Sequence, residues 1–326
     1  MSYIVTWWAW FIGSVLVGYL NQQGIFDIII VDHLNTTEKW KNLVGKKYIN
    51  YFDRSEFFQK VKEEWYISKD DVVIHLWACS ATTELDTQYL MENNAKYSKL
   101  LYEQCTFVWA QFIYASSAAT YGSWVQWYSD INFDLQPLNM YGYSKHLFDQ
   151  RILDWTKDFV SCSSQVVGLK FFNVYGPNEY HKGSMASVVY HGFHQIKNEW
   201  KVELFRSYKD EFADGEQQRD FVYVKDIVKV IYFFITHPKK NWIYNLWTGE
   251  ARSFNDLVKS TFNALEIPVH IIYKDMPELL KAKYQYFTQA DMDKLKKIWY
   301  TEQFFTLEDW VKDYVQHYLS QECKIF

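Results

Sequence analysis

Glycine is scarce in this chain. It occurs 12 times among 326 residues, whereas tryptophan occurs 15 times. An average protein has glycine at about 7 % of its positions, so roughly half of the usual complement is present. Glycine provides tight turns and close backbone approaches that other residues rarely adopt. The imbalance therefore raises the question of which turns carry a large side chain instead.

The chain also lacks the features of membrane and nucleic-acid-binding proteins. No apolar run reaches the roughly 18 residues of a membrane-spanning helix, and the net charge of −5 comes without a block of basic residues. Neither nucleic acid nor a membrane surface is therefore expected as a partner. Residues 1–6 lack the basic segment and cleavage site of a signal peptide, and they predict a first strand.

The four cysteines, at positions 79, 105, 162 and 323, show neither the spacing of a metal site nor a disulfide framework. We expect reduced thiols, no bound metal and a cytoplasmic protein.

Short apolar runs alternate with helical patterns through the first half of the chain, at 28–31, 71–76, 112–115 and 165–172. This alternation predicts an α/β fold in which helices wrap a parallel sheet. The runs are followed by polar residues, among them Asp32, Ser116, Ser117 and Asn173. Ligands of open α/β sheets bind beyond the carboxyl ends of the strands, so these residues mark a candidate site.

The regular alternation ends after Pro177. We expect a helix after Ser187, a strand at 203–205, a loop at 208–218, another helix opening within 219–226 and a short strand at 243–246. No repeat, low-complexity tract or long linker divides the chain. The C-terminal half therefore predicts a smaller lobe that packs on the first half.

Tyr141 and Lys145 are four residues apart, which makes them neighbours on one face of a helix. Ser117 follows the run at 112–115 and can meet that face at a strand end. A tyrosine with a reference pKa of about 10 needs a nearby cation before its phenolate forms near neutral pH, and Lys145 is placed to supply it. Such a trio can move a proton at a carbinol while a nicotinamide exchanges the hydride. The Tyr-x-x-x-Lys spacing by itself also fits a solvated helix face.

Six segments resemble the extended short-chain dehydrogenase/reductase superfamily and, within it, the 6-epimerases that act on ADP-heptoses. These segments are 115–122, 138–145, 171–177, 181–187, 219–224 and 284–291. The first and third occur in many nucleotide-sugar enzymes. Lys-Gly-Ser-Met-Ala-Ser at 182–187 and Gln-Tyr-Phe-Thr-Gln-Ala-Asp at 285–291 are much narrower.

The resemblance implies a Rossmann-type doubly wound parallel sheet that binds NADP, formed by residues 1–173 and about 219–248. A smaller α/β substrate-binding lobe would comprise about 174–218 and 249–326. The implied reaction interconverts ADP-D-glycero-β-D-manno-heptose and ADP-L-glycero-β-D-manno-heptose through transient oxidation at C6 by bound NADP. A homo-oligomer is also implied, with a pentamer as one arrangement. Another NAD(P)-dependent nucleotide-sugar epimerase is the alternative. A 4,6-dehydratase is disfavoured because Ala118 and Ala119 stand where an acidic pair would eliminate water.

Inversion at C6 requires acid/base groups on both faces of that carbon, and the resemblance assigns these roles to Tyr141 and Lys182. Ser117 would hydrogen-bond the reacting oxygen, and Lys145 would hold the nicotinamide ribose and lower the tyrosine pKa. The implied substrate contacts are Asn173, Ser184, His191, Phe205, Arg219 and Tyr284, with Arg219 as the diphosphate clamp. Without the surrounding motifs, Lys182 would be taken for a surface lysine, His191 for a core histidine and Arg219 for the ion-pair partner of Asp220.

For the cofactor, Asp32 closes the second strand, where an acidic residue normally binds a ribose hydroxyl and favours NAD. Lys39 and Arg54 match positions near the 2′-phosphate and favour NADP. We therefore expect NADP, with NAD tolerated. The full set of implied cofactor contacts is Phe11, Ile12, Gly13, Asp32, His33, Lys39, Arg54, Leu76, Trp77, Ala78, Cys79, Ser80, Asn93, Lys145, Val174 and Lys182.

The dinucleotide-binding turn departs from the family pattern. The family has Thr-Gly-Gly-Ala-Gly-Phe-Ile-Gly where residues 6–13 read Thr-Trp-Trp-Ala-Trp-Phe-Ile-Gly. Glycine is needed there because the turn is tight and the backbone must approach the pyrophosphate. Trp77 and Trp247 stand at family glycine positions too, and so do Trp242, Trp299 and Trp310, with Trp200 as a further candidate.

One residue type replaces glycine throughout, whereas drift would introduce several. We hypothesise that a single codon was misassigned, because some bacterial lineages read UGA as glycine and a table that reads it as tryptophan produces this pattern. Trp40, where the family has an aromatic residue, is then a true tryptophan. The alternative is a substituted or inactivated chain, a cofactor-free pseudoenzyme that keeps the superfamily fold.

Overall fold

Twelve strands and eleven helices make up the computed structural model, which describes residues 1–7, 10–76, 84–122, 128–156, 164–281, 284–298 and 300–326. The strands are β1 (Tyr3–Thr6), β2 (Ile28–Asp32), β3 (Asn50–Asp53), β4 (Val72–His75), β5 (Gln111–Ser117), β6 (Val166–Phe171), β7 (Asn173–Tyr175), β8 (Val202–Phe205), β9 (Gln218–Tyr223), β10 (Trp242–Leu246), β11 (Ala251–Ser253) and β12 (Ile271–Lys274). The helices are α1 (Phe11–Gln22), α2 (Arg54–Glu64), α3 (Thr87–Leu90), α4 (Tyr97–Val108), α5 (Met140–Thr156), α6 (Val188–Glu199), α7 (Val224–Thr236), α8 (Phe254–Ala264), α9 (Glu278–Lys281), α10 (Asp293–Lys297) and α11 (Leu307–Tyr314).

Seven strands form one parallel sheet in the order β10-β6-β5-β4-β1-β2-β3. This is the strand order of doubly wound dinucleotide-binding folds, with β10 added at one edge. The predicted α/β class with a parallel sheet is confirmed. The strand order reverses between β1 and β4, so the loops that follow these two strands border the crevice where ligands bind in such sheets.

Both faces of the large sheet are covered because its strands are apolar on both sides. Along β1, Ile4 packs on one face with residues of α2, α4 and α5, whereas Val5 packs on the other with α1 and α7. All five residues of β2 are buried. Strands of this kind read as continuous apolar runs rather than as alternating patterns, which explains why the sequence revealed them.

Two small sheets extend the chain beyond the large one. One has the order β11-β9-β7, and the other pairs β12 with β8 in parallel. The predicted strand at 203–205 is present in β8. The expectation that 219–226 opens a helix is wrong for its first part, because residues 218–223 form β9 between β7 and β11 and the helix begins at Val224. The division of the chain into two lobes at the boundaries given above remains a proposal.

No helix in the described ranges is both long and apolar enough to cross a membrane. Within the same ranges, no cluster of three His, Cys, Asp or Glu side chains could hold a metal ion.

Asn245 links β10 to two loops that end near the site. Its side chain is fully buried. The carboxamide oxygen accepts a hydrogen bond from the Tyr121 hydroxyl at 2.7 Å, and Nδ2 donates to the carbonyls of Tyr128 at 2.7 Å and Asp291 at 3.0 Å. One amide thus satisfies three polar groups.

Replacing Asn245 with leucine should destabilise the fold. The substitution strands two buried polar groups and one partly buried carbonyl, and each stranded buried group costs about 1–3 kcal/mol. We expect the free energy of unfolding to fall by about 3 kcal/mol in urea denaturation. Asn263→Leu, at an exposed site on α8, is the matched control. Equal losses in the two variants would contradict the linking role.

Candidate active site

A cavity of about 260 Å³ lies beyond the carboxyl ends of the central strands. Segments that follow β1, β4, β5 and β6 contribute its walls, together with α5 and the turn before α6. The lining residues are Trp7, Trp10, Phe11, Ile12, Gly13, Leu76, Ala115, Ser116, Ser117, Tyr141, Lys145, Phe171, Phe172, Val174, Lys182 and Met185. All four candidate catalytic residues are therefore brought together in one place.

Helix α5 presents Tyr141 and Lys145 to this cavity from its first two turns. Both side chains are largely buried, with 8 % and 4 % of their surface exposed. The Lys145 ammonium donates to the carbonyl of Ala115 at 2.7 Å. This bond ties the helix to the end of β5, so the phenol and the ammonium hold a defined position beside Ser117.

Ser117 is the last residue of β5 and the first of the turn that follows. Its Oγ accepts a hydrogen bond from the backbone N–H of Ala119 at 3.1 Å. The neighbouring Ser116 also lines the cavity, but its hydroxyl donates to the buried Asp149 at 2.7 Å. The two serines thus have different tasks, since one caps the turn at the cavity and the other anchors the strand.

Lys182 enters the cavity from the turn at 180–185. Gly183 has φ +55° and ψ −129°, a conformation open to glycine but not to ordinary residues, and it bends the chain directly after the lysine. The Lys182 ammonium lies 3.7 Å from the Glu179 carboxylate and 4.8 Å from the centre of the Phe11 ring. Burial lowers the pKa of Lys182, and the nearby carboxylate opposes that shift. The Lys182 side chain is 15 % exposed, so this is a partly buried lysine rather than a surface one.

A buried ionic network supports α5 from behind, and sequence reasoning did not identify it. Asp149 accepts hydrogen bonds from Tyr114 at 2.9 Å, from Ser116 at 2.7 Å and from Lys170 at 2.9 Å. The Asp149 and Lys170 side chains are almost entirely inaccessible to solvent. The spacing 141, 145, 149 could have signalled it, because these residues lie on one helical face.

The residues predicted near the cofactor fall into three described groups and one that lies outside the described residues. Phe11, Ile12, Gly13, Leu76, Val174, Lys145 and Lys182 line the cavity. Asp32, at the end of β2, is paired with Lys39 at 2.6 Å and accepts from the backbone N–H of His33. Arg54 donates to Asn93 at 2.5 Å. Trp77, Ala78, Cys79 and Ser80 lie outside the described residues.

The predicted substrate contacts lie apart from the cavity wall, and two of them meet. The Arg219 guanidinium is 5.3 Å from the centre of the Tyr284 ring and donates to the carbonyls of Gln218 and Gln285. No ion pair joins it to Asp220, whose carboxylate accepts from Thr248 and Gly249. Asn173 and Ser184 are exposed, His191 is half-buried on α6, and Phe205 ends β8.

Two indoles occupy the part of the cavity where a dinucleotide phosphate would lie. Trp7 and Trp10 stack with their ring centres 5.2 Å apart, directly before the N-terminus of α1, which is the usual anion site of such turns. The remaining volume of about 260 Å³ is below the roughly 300–1,000 Å³ of small-molecule sites. With tryptophan at 7 and 10, the residues present do not fit a dinucleotide.

Comparison with known proteins gives consistent matches. The model of the NAD dependent epimerase/dehydratase family matches residues 4–246. A protein of Nitratidesulfovibrio vulgaris (strain DP4) named ADP-L-glycero-D-manno-heptose-6-epimerase is 49 % identical over 321 residues, 98 % of each chain. A Fusobacterium nucleatum protein of the same name is 47 % identical, again over 98 % of each chain.

Solved structures agree with these sequence matches. The Helicobacter pylori ADP-L-glycero-D-manno-heptose-6-epimerase superposes with a TM-score of 0.79 at 27 % identity, over 97 % of this chain and 95 % of that one. A UDP-N-acetylglucosamine 4-epimerase from Methanobrevibacter ruminantium has a TM-score of 0.81 at 24 % identity over 98 % of both chains. At this identity the likeness supports the fold alone. The chain belongs to the NAD dependent epimerase/dehydratase family and, within it, to the ADP-L-glycero-D-manno-heptose-6-epimerases.

Proposed function

We propose that this chain interconverts ADP-D-glycero-β-D-manno-heptose and ADP-L-glycero-β-D-manno-heptose by inverting C6. The observation that carries the proposal is that Tyr141 and Lys182, from separate elements, line one cavity together with Ser117 and Lys145. Relatives at 47 % and 49 % identity over nearly the whole chain bear the name of this activity.

The chain's own residues would handle the protons. When an alcohol carbon is inverted, hydride leaves one face and returns to the other. Each face therefore needs a group that accepts and donates the hydroxyl proton. We assign these roles to the phenol of Tyr141 and the amine of Lys182. Because burial lowers the pKa of Lys182, its neutral amine forms at a lower pH than that of a surface lysine. Ser117 would hold the reacting oxygen by a hydrogen bond.

The predicted substrate contacts would bind the sugar nucleotide. The Arg219 guanidinium lies 5.3 Å from the centre of the Tyr284 ring, and a guanidinium suits diphosphate recognition because its donors match two phosphate oxygens at once. To clamp the diphosphate, Arg219 would exchange its carbonyl acceptors for phosphate oxygens. Asn173, Ser184, His191 and Phe205 remain proposed contacts on the strength of the motifs alone.

A nicotinamide cofactor is usual in this family, and we propose NADP with NAD tolerated. The support is the Asp32–Lys39 pair at 2.6 Å. A bare carboxylate at the end of β2 would repel a 2′-phosphate, whereas a lysine that neutralises it removes the repulsion. The cradle itself is blocked by Trp7 and Trp10, so function is tested in a chain with glycine at 7, 8, 10, 77 and 247, called the glycine variant below.

Another nucleotide-sugar epimerase is the rival activity, and substrate choice separates the two. We expect the glycine variant to convert ADP-D-glycero-β-D-manno-heptose into a mixture of the two C6 epimers, detected by NMR of the product. Conversion only of a UDP-hexose would refute the proposal.

Homo-oligomerisation and a cytoplasmic location are proposed from family resemblance. Cys105 and Cys323 are free thiols, which agrees with a reducing compartment. Light scattering coupled to size-exclusion chromatography measures the number of chains in the oligomer, and we expect a pentamer.

Removing either acid/base group should abolish most turnover. In the glycine variant we expect Tyr141→Phe and Lys182→Met each to lower kcat by about 10² to 10⁴-fold, with the double variant hardly worse than the poorer single one. Tyr143→Phe, an exposed tyrosine on the same helix, and Lys312→Met serve as controls. A normal rate in Tyr141→Phe would remove that residue from its role.

The charge of Glu179 should set the pH at which Lys182 loses its proton. The carboxylate raises the pKa of Lys182, so Glu179→Gln should lower that pKa further and let the neutral amine form in more acidic solution. We expect the acidic limb of the kcat/KM profile to move down by about one pH unit. Glu199→Gln, an exposed site on α6, should leave the profile unchanged, and a shift toward higher pH in Glu179→Gln contradicts the assignment.

Lys39 should decide cofactor preference. Lys39→Met removes the cation that neutralises the buried Asp32 carboxylate, so NADP binding should weaken by about 10- to 100-fold relative to NAD, as for loss of a charged hydrogen bond. Fluorescence titration of the glycine variant with both cofactors measures this ratio. Lys41→Met, an exposed neighbour, should not change it; an unchanged ratio in Lys39→Met would count against the proposal.

A further inference from the structure

Four tryptophans among the described residues have left-handed backbone conformations. The angle φ is +59° at Trp7, +52° at Trp65, +65° at Trp109 and +58° at Trp200. This region brings the β-carbon too close to the following carbonyl oxygen, and only glycine visits it routinely. Tryptophan also has no short polar side chain with which to form the local hydrogen bonds that help asparagine and aspartate there. The backbone conformation at these four positions thus favours glycine, yet each position carries tryptophan, the largest side chain.

Three of these residues share one structural task. Trp65, Trp109 and Trp200 directly follow α2, α4 and α6, where they end the helix with ψ values of 48°, 31° and 21°. The N–H of Trp200 donates to the carbonyl of Ile196 at 3.0 Å, and that of Trp109 donates to the carbonyl of Cys105. A left-handed residue that closes a helix by this bond is usually glycine.

The indoles at these helix ends gain little from burial. Trp65, Trp109 and Trp200 are 55 %, 53 % and 65 % exposed. An aromatic side chain offsets an unfavourable backbone only by packing, and more than half of each residue's surface faces solvent. Trp65 contacts the ring of Phe107, which is itself 71 % exposed, and the Lys69 ammonium lies 5.3 Å from the ring centre of Trp109. These surface contacts do not explain why tryptophan rather than glycine ends the helix.

Trp247 gives independent evidence from the core. It is fully buried, and its ring centre lies 3.0 Å from that of Phe172, whereas aromatic pairs in proteins stand about 4.5–7 Å apart. Its indole N–H has no hydrogen-bond partner among the described residues. There is not enough room for an indole at this position.

We propose that the protein made in its own organism has glycine at positions 7, 65, 109, 200 and 247, each encoded by UGA. Positions 65 and 109 belong to no cofactor motif, and the backbone alone identifies them. An inactivated enzyme would carry its changes in the cofactor cradle. Besides the phosphate turn, these five positions serve three helix ends and the core, so a single codon explains them together.

For other tryptophans the geometry does not by itself indicate glycine. Trp40 has no positive φ in its helical turn. Trp310 has a helical backbone, donates to Asp226 at 2.5 Å and stacks on Tyr223, so only the sequence pattern places it in the glycine group. Trp242 has φ +159°, close to the extended region, and a buried indole N–H without a partner among the described residues. Trp8, Trp77 and Trp299 lie outside the described residues.

The gene and the native protein test this inference without reference to activity. We expect UGA at codons 65, 109 and 200 and UGG at codon 40. Peptides from protein isolated from the organism should carry glycine at 65, 109 and 200 when they are sequenced by mass spectrometry. UGG at codons 65, 109 and 200, or tryptophan in those peptides, overturns the proposal.

Thermal stability provides a second test on the expressed chain. Trp65→Gly, Trp109→Gly and Trp200→Gly should each raise Tm by about 2 °C as backbone strain is relieved, whereas Trp40→Gly should not raise it. Unchanged or lower Tm values in all three variants contradict the backbone argument. None of these residues lines the cavity. The stability prediction and the epimerase prediction can therefore be contradicted independently of each other.

Discussion

The attachment of helix α5 to the end of strand β5 is the interaction on which the rest of the site depends. Lys145 bonds the carbonyl of Ala115, and Asp149 one turn later binds Tyr114, Ser116 and Lys170. Tyr141 is on the same helical face, so these bonds set its position relative to Ser117. A buried carboxylate is tolerated here because three donors surround it. A proton is transferred over hydrogen-bond distance or through one water, so catalysis depends on the positions that these bonds give the two groups.

The backbone at the N-terminus of α1 is the second constraint. Parallel strands direct their carboxyl ends and the following helix N-termini toward one crevice, which is why such folds bind phosphates there. In this chain the crevice contains the stacked rings of Trp7 and Trp10. The same residue type stands in left-handed conformations at the ends of α2, α4 and α6. The obstruction of the cradle is therefore one instance of a chain-wide exchange rather than a local modification of the site.

Much of the large sheet could be read from the sequence, because strands buried on both faces are continuous apolar runs. The smaller strands β3, β7, β11 and β12 were not predicted, since they are only three or four residues long and depend on partners distant in sequence. The segment 219–226 was interpreted as the start of a helix, but pairing with β7 and β11 makes its first part a strand. Tertiary pairing overrode the local pattern there.

The sequence by itself determined the fold class, the family and the pairing of Tyr141 with Lys145, because helical spacing and short motifs are local properties. It also exposed the exchange of glycine for tryptophan in the phosphate turn. Only the tertiary structure decided that Lys182 is partly buried beside Glu179, that Asp149 and Lys170 support the site, and that Arg219 meets Tyr284 rather than Asp220. Burial and backbone angles arise from contacts between distant segments, and for the same reason only the folded chain singled out Trp65 and Trp109.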